Sequence, residues 1–274
     1  MANPKPARIP PQTPPAGGKS AEAGRIHSPR QIVSPCRVLF SSFNHLDLAR
    51  NSFELCPTNT ARRSLELLKN VMIKTKKKIY VYTGEGAYQA RDIEIFLAVF
   101  ELDYQRINEN NLSKLTKFGI LIMPGGEIPT LISSLNKTEI KRIKDFVFSG
   151  GTYIGICAGS YIAGKSFDGT SGFSFFNEVT KYNKSQGIIE VTDNMGNNLQ
   201  LINENGPNLS GIQVDEIILK DANDNPHLVK INFGEGQVYL FSSHPEGSVC
   251  YEKYPKTFSG AKFLNQFLKT IQRF

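Results

Sequence analysis

This sequence predicts an α/β fold, a mostly parallel sheet flanked by helices with an antiparallel β-rich C-terminal half, on three observations. Between Lys78 and Ser149, short β-branched and aromatic runs alternate with segments of helical apolar spacing, the pattern of a parallel sheet covered by helices. From Phe173 to Phe233 the runs shorten and are separated by Asn-Gly, Gly-Pro and Asp-Asn pairs, which reads as antiparallel. Three glycine-bearing turns, Gly84-Glu85-Gly86, Pro124-Gly125-Gly126 and Gly155-Ile156-Cys157-Ala158-Gly159, fall at expected carboxyl ends of strands, where sites in open α/β sheets collect.

The first strand is the run Lys78 to Thr83, followed by a helix from about Tyr88 to Phe100. Tyr104 to Asn108 and Phe118 to Met123 are the next strands. An amphipathic helix covers Lys137 to Ser149, and Thr152 to Ile156 leads into Cys157. Short strands are then expected at Phe173–Phe176, Ile188–Thr192, Leu199–Asn203, Gln213–Leu219 and Leu228–Phe233. Gln237 to Ser242 is a last apolar strand that runs directly into Ser243-His244-Pro245-Glu246, and a helix from Ser259 to Phe274 closes the domain.

A chain of 274 residues can bury the core of one α/β domain and carry an extension besides. Residues 1–71 are expected to be that extension, poorly structured, basic and Pro-rich, with prolines at 4, 6, 10, 11, 14 and 15 opposing regular hydrogen bonding. Within it, spacing allows one helix, from Asn59 or Thr60 to Leu68. The compact domain is expected over 72–274. Much of the net charge of +7 sits near the front, in Arg62-Arg63 and Lys74-Thr75-Lys76-Lys77-Lys78, without interleaved aromatic residues, so it reads as solvated surface rather than a nucleic-acid site. Cys36, Cys56, Cys157 and Cys250 form no C-x-x-C pair, which indicates neither a zinc site nor a disulfide scaffold and fits a reducing compartment. His27, His45 and His227 have no partner spacing for a metal, and no cofactor is expected. Gly84-x-Gly86 starts like a dinucleotide fingerprint, but Gln89 stands where its third glycine belongs. With no apolar run of membrane-spanning length and no signal-peptide centre, a cytoplasmic protein is expected, organelle targeting by the extension being the other option.

The chemistry concentrates at Cys157. Gly155-Ile156-Cys157-Ala158-Gly159 has the spacing of a nucleophile elbow, in which glycines let a strand turn sharply into a helix and present the central side chain at the apex. Unpaired amides at the start of the following helix favour a thiolate over a thiol. The same pattern would also suit a small apolar residue at a tight strand-to-helix contact. His244 can take a thiol proton as general base, and Glu246, two residues on, can fix its tautomer; a loop histidine and a surface glutamate are the plainer alternative. Backbone amides of Gly126 and Ala158 are candidate donors to an oxyanion. Glu85, at the end of the first strand, could approach Cys157 or face water.

The segment Tyr153-Ile154-Gly155-Ile156-Cys157-Ala158-Gly159-Ser160-Tyr161 follows a Met123-Pro124-Gly125-Gly126 turn and precedes His244-Pro245-Glu246. This order resembles the class I glutamine amidotransferase-like superfamily. Together with Tyr82-Thr83-Gly84-Glu85-Gly86, Gly172–Phe176, Asn205-Gly206-Pro207 and Gly234–Glu246, it resembles more narrowly the biotin-protein ligase N-terminal domain family, over roughly Lys78 to Phe274. The resemblance implies a flavodoxin-like sheet, Cys157 as nucleophile, His244 as base, Glu246 as its partner, and Gly125 and Gly126 beside the oxyanion. Glutaminase domains usually carry glutamine four residues after the nucleophile, where this chain has Tyr161, which argues against glutamine as substrate. The expected function is that of a freestanding amidotransferase-like domain attacking an amide or related carbonyl through a thioester. The alternative is a non-catalytic binding or regulatory domain related to the N-terminal part of biotin-protein ligases. A small amide or acyl substrate is expected in the first case. A protein partner such as a ligase or synthetase is an option in both.

Overall fold

The computed structural model describes residues 76–167, 170–178, 180–254 and 259–273. The expected extension 1–71 and its helix from 59 or 60 to 68 lie outside the described residues.

Among the described residues the strands are β1 (Ile79–Tyr82), β2 (Tyr104–Ile107), β3 (Ile120–Met123), β4 (Thr152–Ile156), the short pair β5 (Ser166–Phe167) and β6 (Thr170–Ser171), β7 (Gln186–Asp193), β8 (Asn198–Glu204), β9 (Glu216–Lys220), β10 (Pro226–Phe233) and β11 (Gly236–Phe241). Nine of them form one sheet in the order β2-β1-β3-β4-β11-β10-β9-β7-β8. Pairing is parallel from β2 to β11 and antiparallel from β11 to β8, so β11 joins the two halves. This is the α/β architecture expected, parallel strands first and an antiparallel half after.

The parallel strands β1, β3 and β4 are buried along their whole length, which is why they read as unbroken apolar runs rather than alternating ones. The helices are α1 (Ala90–Val99), α2 (Ile128–Ser133), α3 (Lys137–Phe148), the single turns α4 (Ala158–Tyr161) and α5 (Gly247–Cys250), and α6 (Ser259–Ile271). Each long helix buries one stripe: Ile93, Phe96 and Leu97 on α1, Ile143, Phe146 and Val147 on α3, Leu264, Leu268 and Ile271 on α6. The start of α3 is fixed by a capping box, Asn136 accepting from the Thr138 and Glu139 amides at 2.8 and 3.1 Å while Glu139 accepts from the Asn136 amide at 2.7 Å.

One expected strand is a turn instead. Across Phe173–Phe176, Ser174 has φ 54°, and the amides of Phe173, Ser174 and Phe175 donate to the carbonyls of Ile162, Gly164 and Ala163. The apolar run is explained by aromatic packing, with Phe173 and Phe175 placing their rings 5.7 and 5.0 Å from that of Tyr153. β9 also starts at Glu216 rather than Gln213.

At the β4–α4 turn the two flanking glycines are required by close approach. A Cβ on Gly155 would stand 2.8 Å from the Gly159 backbone, and one on Gly159 would overlap the Met123 carbonyl oxygen. Gly159→Ala is expected to lower the unfolding free energy by about 1–3 kcal/mol, measured by urea denaturation; an unchanged midpoint would mean that α4 does not press on β3.

Candidate active site

Parallel pairing of β4 and β11 aligns Ile156 with Phe241, so the chain leaves the sheet at both strand ends side by side. The Cys157 amide donates to the Phe241 carbonyl at 3.1 Å, which places Cys157 beside the segment Ser242-Ser243-His244. Cys157 itself has φ 50° and ψ −106°, a conformation that costs a non-glycine residue about 1–3 kcal/mol. The surroundings hold it there. Ser160 Oγ lies 2.8 Å from both the Gly155 and the Phe241 carbonyls, the Tyr153 hydroxyl donates to the Gly159 carbonyl at 2.7 Å, and the Gly159 amide donates to the Pro124 carbonyl at 3.2 Å.

His244 and Glu246 are both buried, and Glu246 Oε1 lies 2.9 Å from His244 Nδ1. A carboxylate in that place keeps a proton on Nδ1 and leaves Nε2 as the ring's acceptor. The Tyr251 hydroxyl also stands 3.2 Å from Nδ1 and in turn accepts from Gln89 Nε2. Burial by itself pulls the imidazole's pKa down; Cys157 and Glu246 outweigh it, by charge and by hydrogen bonding, and hold the ring well above the ordinary histidine value. Nε2 is buried and, as placed, makes no hydrogen bond, while the Cys157 thiol donates to the Glu204 carbonyl at 3.7 Å. It is a Cys157 thiolate that raises the imidazole by charge; with the thiol protonated and turned to Glu204, Nε2 is an acceptor, and a rotation of the thiol would pass its proton to Nε2 and leave an imidazolium beside a thiolate.

Cys157 and His244 open onto a cleft of about 520 Å³. Cys157, Ala158, His244 and Gly126 line it together with Ile128, Pro129, Tyr161 and Tyr182. Its acidic members are Glu127 and Glu204, and no lysine or arginine is among the lining residues. Gly126 approaches so closely that a Cβ would overlap the Gly86 carbonyl oxygen, and a Cβ on Gly125 would lie 3.0 Å from His244 Cε1. Among the described residues, no hydrogen-bond acceptor is paired with the amides of Gly126 or Ala158.

Of the residues singled out in the sequence, Cys157, His244, Gly126, Ala158 and Tyr161 line this one cleft. Glu246 backs His244, and Gly125 sits beside His244 and Gln89. Glu85 does not join them. It is exposed on its turn and lies outside the cleft, because the Gly84–Gly86 turn directs its glycines rather than its carboxylate inward. Tyr161 takes a wall position, its hydroxyl donating to the Asn205 carbonyl at 2.8 Å and accepting from the Asn183 amide at 3.3 Å; burial pushes its phenol well above the usual range. Sequence reading missed Gln89 and Tyr251. Gln89 drew notice only as a break in a glycine pattern, and Tyr251 carries no local signal. The Cys250 thiol donates to the Asp92 carbonyl at 3.2 Å, and burial with the Asp92 and Glu246 charges pushes its pKa up to about 12. Among the described residues, no group of three or more His, Cys, Asp or Glu side chains is placed to hold a metal ion.

Because the folded pKa of His244 is raised above its unfolded value of about 6.5, the stabilisation from this residue is complete below that pH and is lost as pH rises through the folded value. Cys157→Ser and Glu246→Gln each remove one of the interactions raising it and should each lower the His244 titration midpoint in an NMR pH series. A midpoint unmoved by both substitutions would contradict the geometry.

Residues 78–179 match the family model described as biotin-protein ligase, N terminal. Over 98 residues the chain is 33% identical to a biotin–protein ligase from Schizosaccharomyces pombe, an alignment covering 33% of this chain and 16% of the ligase. Over 156 residues it is 27% identical to pyridoxal 5′-phosphate synthase subunit PdxT from Francisella philomiragia subsp. philomiragia, covering 56% of this chain and 78% of that protein. Among solved structures, a glutamine amidotransferase superposes with a TM-score of 0.56 at 16% identity, over 71% of this chain and 98% of its own. PurLQS from Thermotoga maritima does so with a TM-score of 0.55 at 14% identity, over 70% and 98%. Among the described residues, no helix is long and apolar enough to cross a membrane. The resemblance read from the sequence therefore stands: residues 78–179 match the biotin-protein ligase N-terminal family, and the chain folds as glutamine amidotransferases do.

Proposed function

We propose that this protein is a cysteine-dependent amidohydrolase or amidotransferase acting through Cys157, His244 and Glu246. The observation that carries the reading is a strained cysteine at a strand end, beside the free Nε2 of a buried histidine whose other nitrogen is held by a carboxylate. In this mechanism His244 Nε2 takes the thiol proton as Sγ bonds to the amide carbonyl carbon. The oxygen, now anionic, faces the amides of Gly126 and Ala158. The tetrahedral centre collapses with cleavage of the C–N bond, His244 returns the proton to the leaving amine, and a thioester remains on Cys157. Water, or an amine in the transfer reaction, then attacks the thioester carbonyl, giving its proton to His244. As the acyl group leaves, that proton returns to the sulfur.

The cleft also favours a substrate class. Glutamine brings an α-carboxylate, and the lining residues offer two glutamates, one of them (Glu204) paired with Lys253 at 3.3 Å, and no lysine or arginine to meet it, while Tyr161 takes the place of the usual glutamine. Walls of Ile128, Pro129, Tyr161 and Tyr182 suit an amide with an apolar or aromatic acyl part, neutral or positively charged. Relatives described as a synthase subunit and a ligase support a protein partner that uses the product.

The second reading, a binding or regulatory domain, is favoured by one contact: the thiol rests on the Glu204 carbonyl rather than on His244. Two measurements separate the two. In a panel of neutral, cationic and carboxylate-bearing primary amides, ammonia release should be greatest with neutral or cationic apolar members, and Cys157→Ala should lower it at least about a thousandfold. Iodoacetamide at pH 6 should label Cys157 well ahead of Cys250, and His244→Ala should slow that labelling at least about tenfold. Equal labelling of the two cysteines, with no ammonia from any amide, would leave the binding domain as the reading.

A further inference from the structure

The antiparallel half is not an open sheet. β11, β10, β9, β7 and β8 pair in succession, and β8 then meets the chain just past β11 at an Ile202–His244 bridge, the His244 amide donating to the Ile202 carbonyl at 2.7 Å. The strands thus close into a ring, and small closed barrels ordinarily fill their interiors with side chains. Here a cavity of about 310 Å³ is lined by residues from, or just beyond, each of the five strands, and eight of its eleven lining residues are polar. It is separate from the Cys157 cleft, with which it shares no lining residue, although Asn203 precedes Glu204 and Ser242 lies two residues before His244.

Its charges are settled internally. His227 is buried and its Nδ1 lies 2.7 Å from Ser242 Oγ; burial lowers its pKa against the pull of Asp221, whose Oδ2 is 3.6 Å from Nε2, so the ring is neutral at pH 7. Asp221 stays ionised because, against burial, its oxygens accept from the Asn225 side chain at 2.9 Å and from the Asn225 and Asn223 amides at 2.9 and 2.8 Å. That leaves one negative charge, already hydrogen-bonded, and no lining lysine or arginine to receive an anion. Asn203 lines the same cavity, is only 2% exposed, and its Oδ1 has no partner. An orphaned buried acceptor costs about 1–3 kcal/mol, and a small turn of the Asn203 side chain toward the cavity would let an occupant's O–H or N–H satisfy it.

We propose that this cavity is a second ligand site, for a small uncharged polyhydroxylated molecule whose hydroxyls donate to Asn203 Oδ1 and exchange hydrogen bonds with Asn225, Ser242 and Ser185. The space equals that of about ten liquid waters at about 30 Å³ each, which leaves room for a pentose with bridging waters beside it. Such a ligand would sit directly behind the wall carrying Glu204 and His244.

The test is heteronuclear NMR on the full chain, with D-xylose and xylitol as neutral probes and xylonate as the anionic one. A neutral probe should shift the resonances of Asn203, Asn225 and His227 saturably and leave Tyr161 and Tyr182 in place. Xylonate should bind at least about tenfold more weakly, because its carboxylate meets Asp221 without a cation. Ser185→Leu, at the half-buried rim, and Asn203→Leu, in the interior, should each weaken the neutral probe at least about tenfold; the rim variant keeps the test valid if the interior one does not fold. Cys157→Ser should leave binding unchanged, so the outcome stands apart from the catalytic reading. No saturable shift with either neutral probe, shifts confined to the Cys157 cleft, or affinity unchanged in Ser185→Leu would overturn the proposal.

Discussion

The site depends on one backbone arrangement, the parallel pairing of β4 with β11. Parallel neighbours end at the same edge of a sheet, so the residue after Ile156 and the residues after Phe241 emerge together. The Cys157 amide completes the ladder by donating to Phe241, and Ser160 ties the following turn to the same carbonyl. Were β11 antiparallel to β4, His244 would leave from the far edge and no side chain on that loop could reach Cys157. The strained conformation of Cys157 is affordable only because strand, turn and neighbouring β3 are packed too closely, at Gly155 and Gly159, for the chain to relax.

Electrostatics then act on side chains that the fold buries, His244 and Glu246. A buried pair such as His244 and Glu246 contributes little net stability, since desolvation offsets most of its attraction. What it does is orient: with Nδ1 engaged by Glu246 and Tyr251, the ring has one free nitrogen and one direction to use it. The Cys250 thiol lies near Asp92 and Glu246, and their charges together with burial hold its proton tightly.

Much of this was legible in the sequence, for physical reasons that can be named. Unbroken apolar runs mark strands buried on both faces, so β1, β3, β4 and β11 stand out, and so do the polar residues at their ends, Cys157 and His244 among them. Turn residues punctuate the antiparallel half well enough to give its strands, but not its closure, which rests on a single bridge between Ile202 and His244. Phe173–Phe176 reads as a strand because burial of aromatic rings in a turn leaves the same apolar signature. Gln89 and Tyr251 were invisible because their meeting is set only by tertiary packing of α1 against α5; neither has a periodic or motif signal. Glu85 illustrates the converse: a carboxylate at a strand end is suggestive by position, yet its turn leaves it in solvent.

The most direct measurement of whether Cys157 is the group that the fold activates is acyl capture. Full-length protein mixed with p-nitrophenyl acetate and mapped by peptide mass spectrometry should carry an acetyl thioester on Cys157, none on Cys250, and far less on Cys157 when His244 is alanine. An adduct spread equally over both cysteines, or one on Cys157 that is indifferent to His244, would contradict the pairing of thiol and imidazole on which the reading rests.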